Sequence, residues 1–336
     1  MPAAQAARVP GWADPELATL TRERFSDPGW IFERKLDGER CLAFREGPGV
    51  RLMTRNKRQI SASYPELAAA LAAQPPIDFI VDGEIVAFEG NQTSFARLQR
   101  RMQAADPAPD LLSSVAVYFY LFDVLHIGGH DVRGLPLRER KGLLRELISF
   151  DDPLRLTPHR NGQGEAYWRE VCRRGWEGVI AKRADAPYRA GRSRDWLKFK
   201  CGSSQEFVVG GYTDPRGERT GLGALLLGYY DARGQLVYAG KVGTGFDDQT
   251  LASLHAALSG MEREQPPFDD GDLPGPGVHW AEPRLVAQVA FAEWTRAGQL
   301  RHPTFQGLRR DKDPADVVRE TPASGVTSRH GPRKQP

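Results

Sequence analysis

Lys35-Leu36-Asp37-Gly38-Glu39-Arg40 puts a lysine at the end of an apolar strand pattern, followed at once by an Asp-Gly turn and an arginine. A lysine in that position is ordinarily a solvated surface charge. In a partly desolvated pocket, burial and neighbouring cations lower an ammonium pKa, and the neutral amine is a nucleophile. Arg40, just past the turn, could then frame a phosphate. Farther along, Asp82 and Glu84 stand two apart in Asp78–Phe88, so they share a strand face with Ile80 and Val86. Carboxylates on an apolar face need a partner, hydrogen bonds or a metal. The plainer alternative, an Asp-Gly turn with Glu84 exposed, is equally open on these residues alone. Glu177 to Lys182 supplies another acid and another lysine near a strand, ambiguous in isolation.

Trp196-Leu197-Lys198-Phe199-Lys200 is sharper. A period of two puts Trp196, Lys198 and Lys200 on one face and Leu197 and Phe199 on the other. Two ammonium groups side by side repel unless an anion lies between them, and a polyphosphate would serve. Together these residues are a candidate nucleophilic lysine, acids suited to a divalent cation, and a basic wall of Arg40, Lys182, Lys198 and Lys200. That combination points to attack of a lysine on a nucleoside triphosphate. No G-x-x-x-x-G-K-[ST] loop and no G-x-G-x-x-G helix start is present, and Gly221-Leu222-Gly223 reads as a hairpin turn. His126, His130, His159 and His302 have no metal-ligand spacing.

The elements that must position these groups alternate. Strands are predicted over Trp30–Phe44, Val50–Arg55, Asp78–Phe88, Val115–Leu125, Gly178–Arg183 and Trp196–Lys200, which are β-branched or aromatic and bounded by Gly, Pro or Asp. Apolar residues at three- and four-residue spacing predict helices over Tyr64–Ala73, Thr93–Met102, Leu137–Ser149 and Glu165–Arg174. After residue 202 the pattern changes to short strands separated by glycine-rich turns, with one helix over Asp247–Leu258, the element order of a small Greek-key barrel of the OB type. Residues 322–336 are basic, rich in Ser, Thr, Pro and Gly, and read as a disordered tail.

The 336 residues suit about two domains. Apolar residues at 40% and charged ones at 26% are ordinary for a soluble globular chain, and the net charge of +3 decides nothing about partners. No apolar run nears the ~20 residues of a membrane span, and no secretory leader is read at the N-terminus. A reducing compartment is expected. Cys41, Cys172 and Cys201 lie far apart with no C-x-x-C pair, so neither a disulfide framework nor a zinc cluster is expected.

KLDGER, DGE, FD in YLFDVL, EGVIAK and WLKFK, in this order, resemble the successive motifs of the covalent nucleotidyltransferases: ATP-dependent DNA ligases, RNA ligases and capping enzymes. RHPTFQGLRRDK (301–312) is similar to the last motif of ATP-dependent DNA ligases, and with PRLVAQVAFAEWT before it looks closest to the bacterial non-homologous end-joining group. The resemblance implies an α+β chain. A nucleotidyltransferase domain of the ATP-grasp-like ligase type would span 1–202, and an OB-fold barrel 203–321.

By position, the resemblance makes Lys35 the lysine that carries AMP and Glu33 the acid that reads the adenine amino group. Arg40 and Arg55 would hold ribose or phosphate, Glu84 the ribose or a metal, and Phe122 would stack on adenine. Glu177 would bind metal. Lys182, Arg192, Lys198 and Lys200 would line the nucleotide, the last three gripping phosphates. Arg309, Asp311 and Lys312 would swing over the site to orient the leaving pyrophosphate. The implied substrates are ATP, as AMP donor with Mg²⁺ or Mn²⁺, and nicked or broken duplex DNA. A DNA-end-binding protein such as Ku is an implied partner, and a monomer in the bacterial cytoplasm, at the nucleoid, is expected. The 34 residues before Lys35 are too few for the helical DNA-encircling domain of larger ligases. Two rivals are an RNA ligase or capping guanylyltransferase, disfavoured by Arg309, Asp311 and Lys312, and a non-catalytic OB-type nucleic-acid binder, which leaves Lys35, Glu84 and Glu177 unexplained.

Overall fold

The computed structural model describes residues 4–215 and 220–322. The expected tail lies, apart from Pro322, outside the described residues. In chain order the principal strands are β1 (Glu16–Leu20), β2 (Trp30–Lys35), β3 (Glu39–Glu46), β4 (Gly49–Thr54), β5 (Phe79–Glu89), β6 (Val117–Ile127), β7 (His159–Asn161), β8 (Gly178–Arg183), β9 (Gly191–Lys200), β10 (Ser203–Thr213), β11 (Leu225–Tyr230), β12 (Leu236–Val242), β13 (Val278–Phe291) and β14 (Thr304–Leu308). The principal helices are α1 (Pro65–Ala72), α2 (Phe95–Met102), α3 (Leu137–Leu147), α4 (Gly164–Arg173) and α5 (Asp248–Ser259).

Two sheets face each other before residue 201. The first contains β6-β5-β3-β4, all antiparallel, and the second runs β7-β2-β8-β9-β1. The outer face of the first sheet buries Leu67, Leu71, Phe95, Leu98, Leu144 and Leu147 of its covering helices. The outer face of the second packs Phe32, Val179, Leu197 and Phe199 against Tyr167 and Val171 of α4. Between the sheets, Leu42, Phe44, Ile80, Phe122, Tyr188 and Trp196 form a smaller core that closes one end of the cleft.

The strand predicted as continuous over Trp30–Phe44 is broken at Leu36–Gly38, because β2 belongs to the second sheet and β3 to the first. The Asp-Gly turn is therefore the crossing between layers, and Lys35 sits at the mouth of the gap. Only glycine fits at Gly38: a Cβ there would lie 2.2 Å from the Ile85 carbonyl oxygen. The predicted helices all form, within a few residues of their expected ends. β1 and β7, which carry no alternation long enough to read, are additions.

Cys172 and Cys201 form a disulfide, with Cα atoms 5.3 Å apart, and this corrects the expectation of three unpaired thiols. Twenty-nine residues separate them in sequence, but α4 folds back on the second sheet and brings its end beside the end of β9. Cys41 is free and buried.

The chain leaves β9 and enters β10 within three residues. β10 pairs with β13 from Ser203–Phe291 to Thr213–Val278, and the sheet continues as β12-β11-β10-β13, with β14 on β13. Phe207, Val209, Leu225, Leu227, Ala287 and Val289 fill its interior, which α5 caps with Leu251, Leu254 and Leu258. This is the OB-type barrel, and the whole is sheet-rich α+β. Among the described residues no helix is long and apolar enough to cross a membrane.

Candidate active site

Register in the second sheet decides what faces the cleft. Lys35 lies opposite Gly178, which lies opposite Lys200; Glu33, Ile180 and Lys198 form the next row, and Ile31, Lys182 and Trp196 the one after. Alternate side chains of a strand share a face, so Glu33, Lys35, Lys182, Trp196, Lys198 and Lys200 all line one cavity, with Arg40 and Glu84 opposite them from the first sheet. Close strand approach at the Lys35 row requires Gly178. Its φ is +155°, and a Cβ would lie 2.2 Å from the Phe199 carbonyl oxygen.

Lys35 Nζ is 2.5 Å from Glu177 Oε1. Burial works against its ammonium, but Glu177, then Asp37 and Glu84, outweigh burial and raise its pKa. The expected environment of cations that would lower it is thus replaced by carboxylates. The acids bear the strain: burial lifts Asp37 to about 6, with Glu177 adding to it, and burial lifts Glu84 to about 7 in spite of Arg40 and Lys35. Glu177 keeps its second oxygen, Oε2, buried and without a hydrogen-bond partner. An orphaned carboxylate oxygen and a carboxylate lifted by burial fit a hard divalent cation, which takes oxygen ligands. Among the described residues no group of three or more His, Cys, Asp or Glu side chains could hold a metal alone, so Glu177 and Glu84 would share the ion with water or phosphate oxygens.

At the inner end, Glu33 is sandwiched by two buried lysines, Lys141 Nζ at 2.6 Å and Lys182 Nζ at 2.7 Å. Burial would raise Glu33, but Lys141 and Lys182 outweigh it and hold the carboxylate below its usual range. Lys182 is itself lowered to about 8 by burial, and its Nζ sits 3.9 Å from both the Phe122 and Trp196 ring centres. Lys182 therefore faces Glu33 and the aromatic end, a correction to the expected basic wall. Arg40 grips Asp82 through two 2.6 Å bonds and packs over Phe122. That guanidinium is tied to protein in place of the phosphate expected from its spacing. Arg192 lines the cavity rim and donates to the Ala18 carbonyl at 2.7 Å.

The barrel covers the opening. Arg309 forms a 2.7 Å pair with Asp311, reaches the Gly38 carbonyl at 3.5 Å and packs over Phe95 of α2. Lys312 pairs with Glu206 at 3.3 Å, and Arg55 with Asp316 at 3.5 Å. The structure thus gathers the expected site residues at one cleft, except that Asp311 is not in its lining and meets it only through Arg309. Sequence reading missed Lys141, Glu206 and Glu320. Lys141 follows Arg140 on α3, and two adjacent basic residues both buried against the first sheet are invisible until the helix is docked. Glu206 is the fourth residue of the first barrel strand and carries no motif.

Two family descriptions cover this chain: "ATP dependent DNA ligase domain" matches residues 15–200 and "ATP dependent DNA ligase C terminal region" matches 218–312. The chain belongs to the ATP-dependent DNA ligase family. Within it, the chain is 36% identical over 338 residues to the multifunctional non-homologous end joining protein LigD of Pseudomonas aeruginosa, covering 97% of this chain and 39% of that protein. It is 36% identical over 301 residues to the multifunctional non-homologous end joining DNA repair protein LigD of Mycobacterium tuberculosis, covering 87% of this chain and 37% of that one. The chain therefore spans about two fifths of the length of these relatives. A solved structure, mycobacterial DNA ligase D complexed with ATP and MES, superposes with a TM-score of 0.66 at 34% identity, over 91% of this chain and 98% of that one.

Proposed function

We propose that this chain seals nicked or broken duplex DNA at the expense of ATP, with Lys35 as the nucleophile. The observation that carries the reading is the convergence of Lys35, Glu177, Glu84, Lys198 and Lys200 in one cleft between the sheets. Lys35 is held as an ammonium, so it first gives up one proton to solvent. The neutral Nζ then attacks the α-phosphorus of ATP: an N–P bond forms, the bond from that phosphorus to the oxygen bridging to the β-phosphate breaks, pyrophosphate leaves, and the nitrogen sheds a second proton. A 5′-phosphate oxygen of DNA then attacks the same phosphorus, freeing the amine and leaving AMP joined to the DNA end. A neighbouring 3′-hydroxyl attacks the 5′-phosphate and expels AMP. Negative charge develops at each step, and Lys198 and Lys200 stand where fixed cations would stabilise it. Mg²⁺ or Mn²⁺ held by Glu84 and Glu177 would supply Lewis-acid polarisation of the phosphates. Phe122 and Trp196 with Glu33 form the end suited to a planar base, and Arg55 and Arg192 stand at the rim for ribose and phosphate. Lys35 lies beneath Arg309 and Lys312, so a duplex end reaches it only after the barrel turns aside.

The names of the relatives support a place in non-homologous end joining; recruitment by a DNA-end-binding protein such as Ku and work at the bacterial nucleoid are further parts of the proposal. The chain acts as a monomer in this reading. Incubation with Mg²⁺ and ATP labelled on the α-phosphate, without DNA, should leave label on the denatured protein. An adduct that survives Lys35→Ala would overturn the mechanism. Added nicked duplex should discharge the label and join the strands, whereas discharge only onto RNA would shift the substrate class.

A further inference from the structure

The paired lysines of β9 already hold an anion, and the chain itself provides it. Glu320 Oε1 contacts Lys198 Nζ, and Oε2 lies 3.1 Å from Lys200 Nζ. The segment that delivers this carboxylate is anchored along its length. Asp313 caps the short turn Pro314–Asp316 through the Ala315 amide, and Asp316 meets Arg55. Val317 is buried beside Val208 and Leu226, with its carbonyl accepting from the Tyr230 amide at 2.8 Å. Gln205 then clamps both sides of residue 319: its Nε2 donates to the Val318 carbonyl at 3.1 Å, and its Oε1 accepts from the Glu320 amide at 3.0 Å. These contacts together fix a single carboxylate on two ammonium groups.

The cleft also lacks room. Its free volume is about 220 Å³, below the ~300–1,000 Å³ usual for pockets that enclose a small ligand. Asp313, Asp316, Val317, Val318 and Glu320 make up one wall. Withdrawing them enlarges the cavity at its cationic end.

We propose that Glu320 is an internal stand-in for phosphate: the strap 313–320 seats its carboxylate between Lys198 and Lys200, and a polyphosphate must expel it to bind. The inference rests on reading those two lysines as phosphate holders. It makes Glu320 a determinant of nucleotide affinity, since ATP and the strap compete for the same cations. It also gives the site a means of refilling after pyrophosphate leaves, which disfavours the reverse reaction. Burial opposes the Glu320 carboxylate, but Lys198 and Lys200 outweigh it and hold its pKa near 2, so the strap is anionic at any working pH.

The test is equilibrium binding of inorganic tripolyphosphate, and separately of adenosine, to the full chain and three variants. Glu320→Gln keeps the backbone clamp and removes only the charge; it should bind tripolyphosphate roughly tenfold more tightly, the scale of one partly desolvated charge contact, with adenosine affinity unchanged. Gln205→Ala, which loosens the strap without touching either lysine, should tighten tripolyphosphate by a smaller factor. Lys200→Ala should weaken it. If Lys200→Ala weakens tripolyphosphate while Glu320→Gln leaves it unchanged or weaker, the competition is wrong and the phosphate reading stands. If Lys200→Ala has no effect, both fall. Tightening of adenosine to the same degree would show general opening of the cleft and would also overturn the proposal.

Discussion

Lys35 and Glu177 meet across the ends of β2 and β8, nitrogen to oxygen at 2.5 Å, while the other oxygen of Glu177 stays buried and unpartnered. The pair joins the proposed nucleophile to a carboxylate with coordination to spare. Glu177→Gln keeps the shape and removes the charge that holds the lysine in place. Adduct formation from α-labelled ATP should fall by about 10²–10³, the range for loss of one preorganised electrostatic group, with little change in the melting temperature.

The Glu33 sandwich makes a different prediction. Glu33→Gln leaves Lys141 and Lys182 both buried without a counter-charge, and removal of one partner from a buried ion cluster costs about 3–5 kcal/mol. Lys141→Met leaves Lys182 still paired and should cost less. Urea unfolding of the two single variants and the double would show it; equal losses for the singles would contradict the geometry.

Glu39 is buried with its Oε2 accepting from the Tyr64 hydroxyl at 2.7 Å. Burial first, and then Asp311, raise its pKa to about 7. The folded-state pKa lies above the unfolded one, so the unfolded chain loses this proton first. Stability from this group is whole below about pH 4.5 and is lost as pH rises through 7. Glu39→Gln mimics the protonated acid and should therefore be nearly neutral at pH 5 and stabilising by up to roughly 3 kcal/mol at pH 8. Melting temperatures at the two pH values decide the sign.

Gly178→Ala should part β8 from β9 at the Lys35 row, because its Cβ meets the Phe199 carbonyl. A loss of about 2–4 kcal/mol is expected for such backbone conflict, together with loss of adduct. Gly202→Ala, where nothing lies within 4 Å of the added carbon, is the control.

How much could be read from residue order varied with the physics involved. Lys35, Lys198 and Lys200 were legible because strand periodicity and the Asp-Gly turn are local, whereas periodicity alone left Glu84 equally open between the cleft and an exposed turn. The anion between Lys198 and Lys200 was legible as a need, but its source in Glu320 was not, since 120 residues separate Lys200 from that carboxylate. The Lys35 environment was misread for the same reason: Asp37 and Glu39 are in sight along the chain, while Glu177 and Glu84 arrive from other strands and turn a presumed cationic pocket acidic. The Cys172–Cys201 bridge likewise depends on how α4 docks and not on spacing.

That bridge has a mechanical side. Cys201 immediately follows the last residue of β9, and Ser203 begins the barrel. The crosslink therefore bolts the near end of the connection to α4, leaving Gly202 as the first joint free to turn. Torque from a swinging barrel would be borne by helix and sheet together, and the lysines of β9 would keep their places while the lid moves.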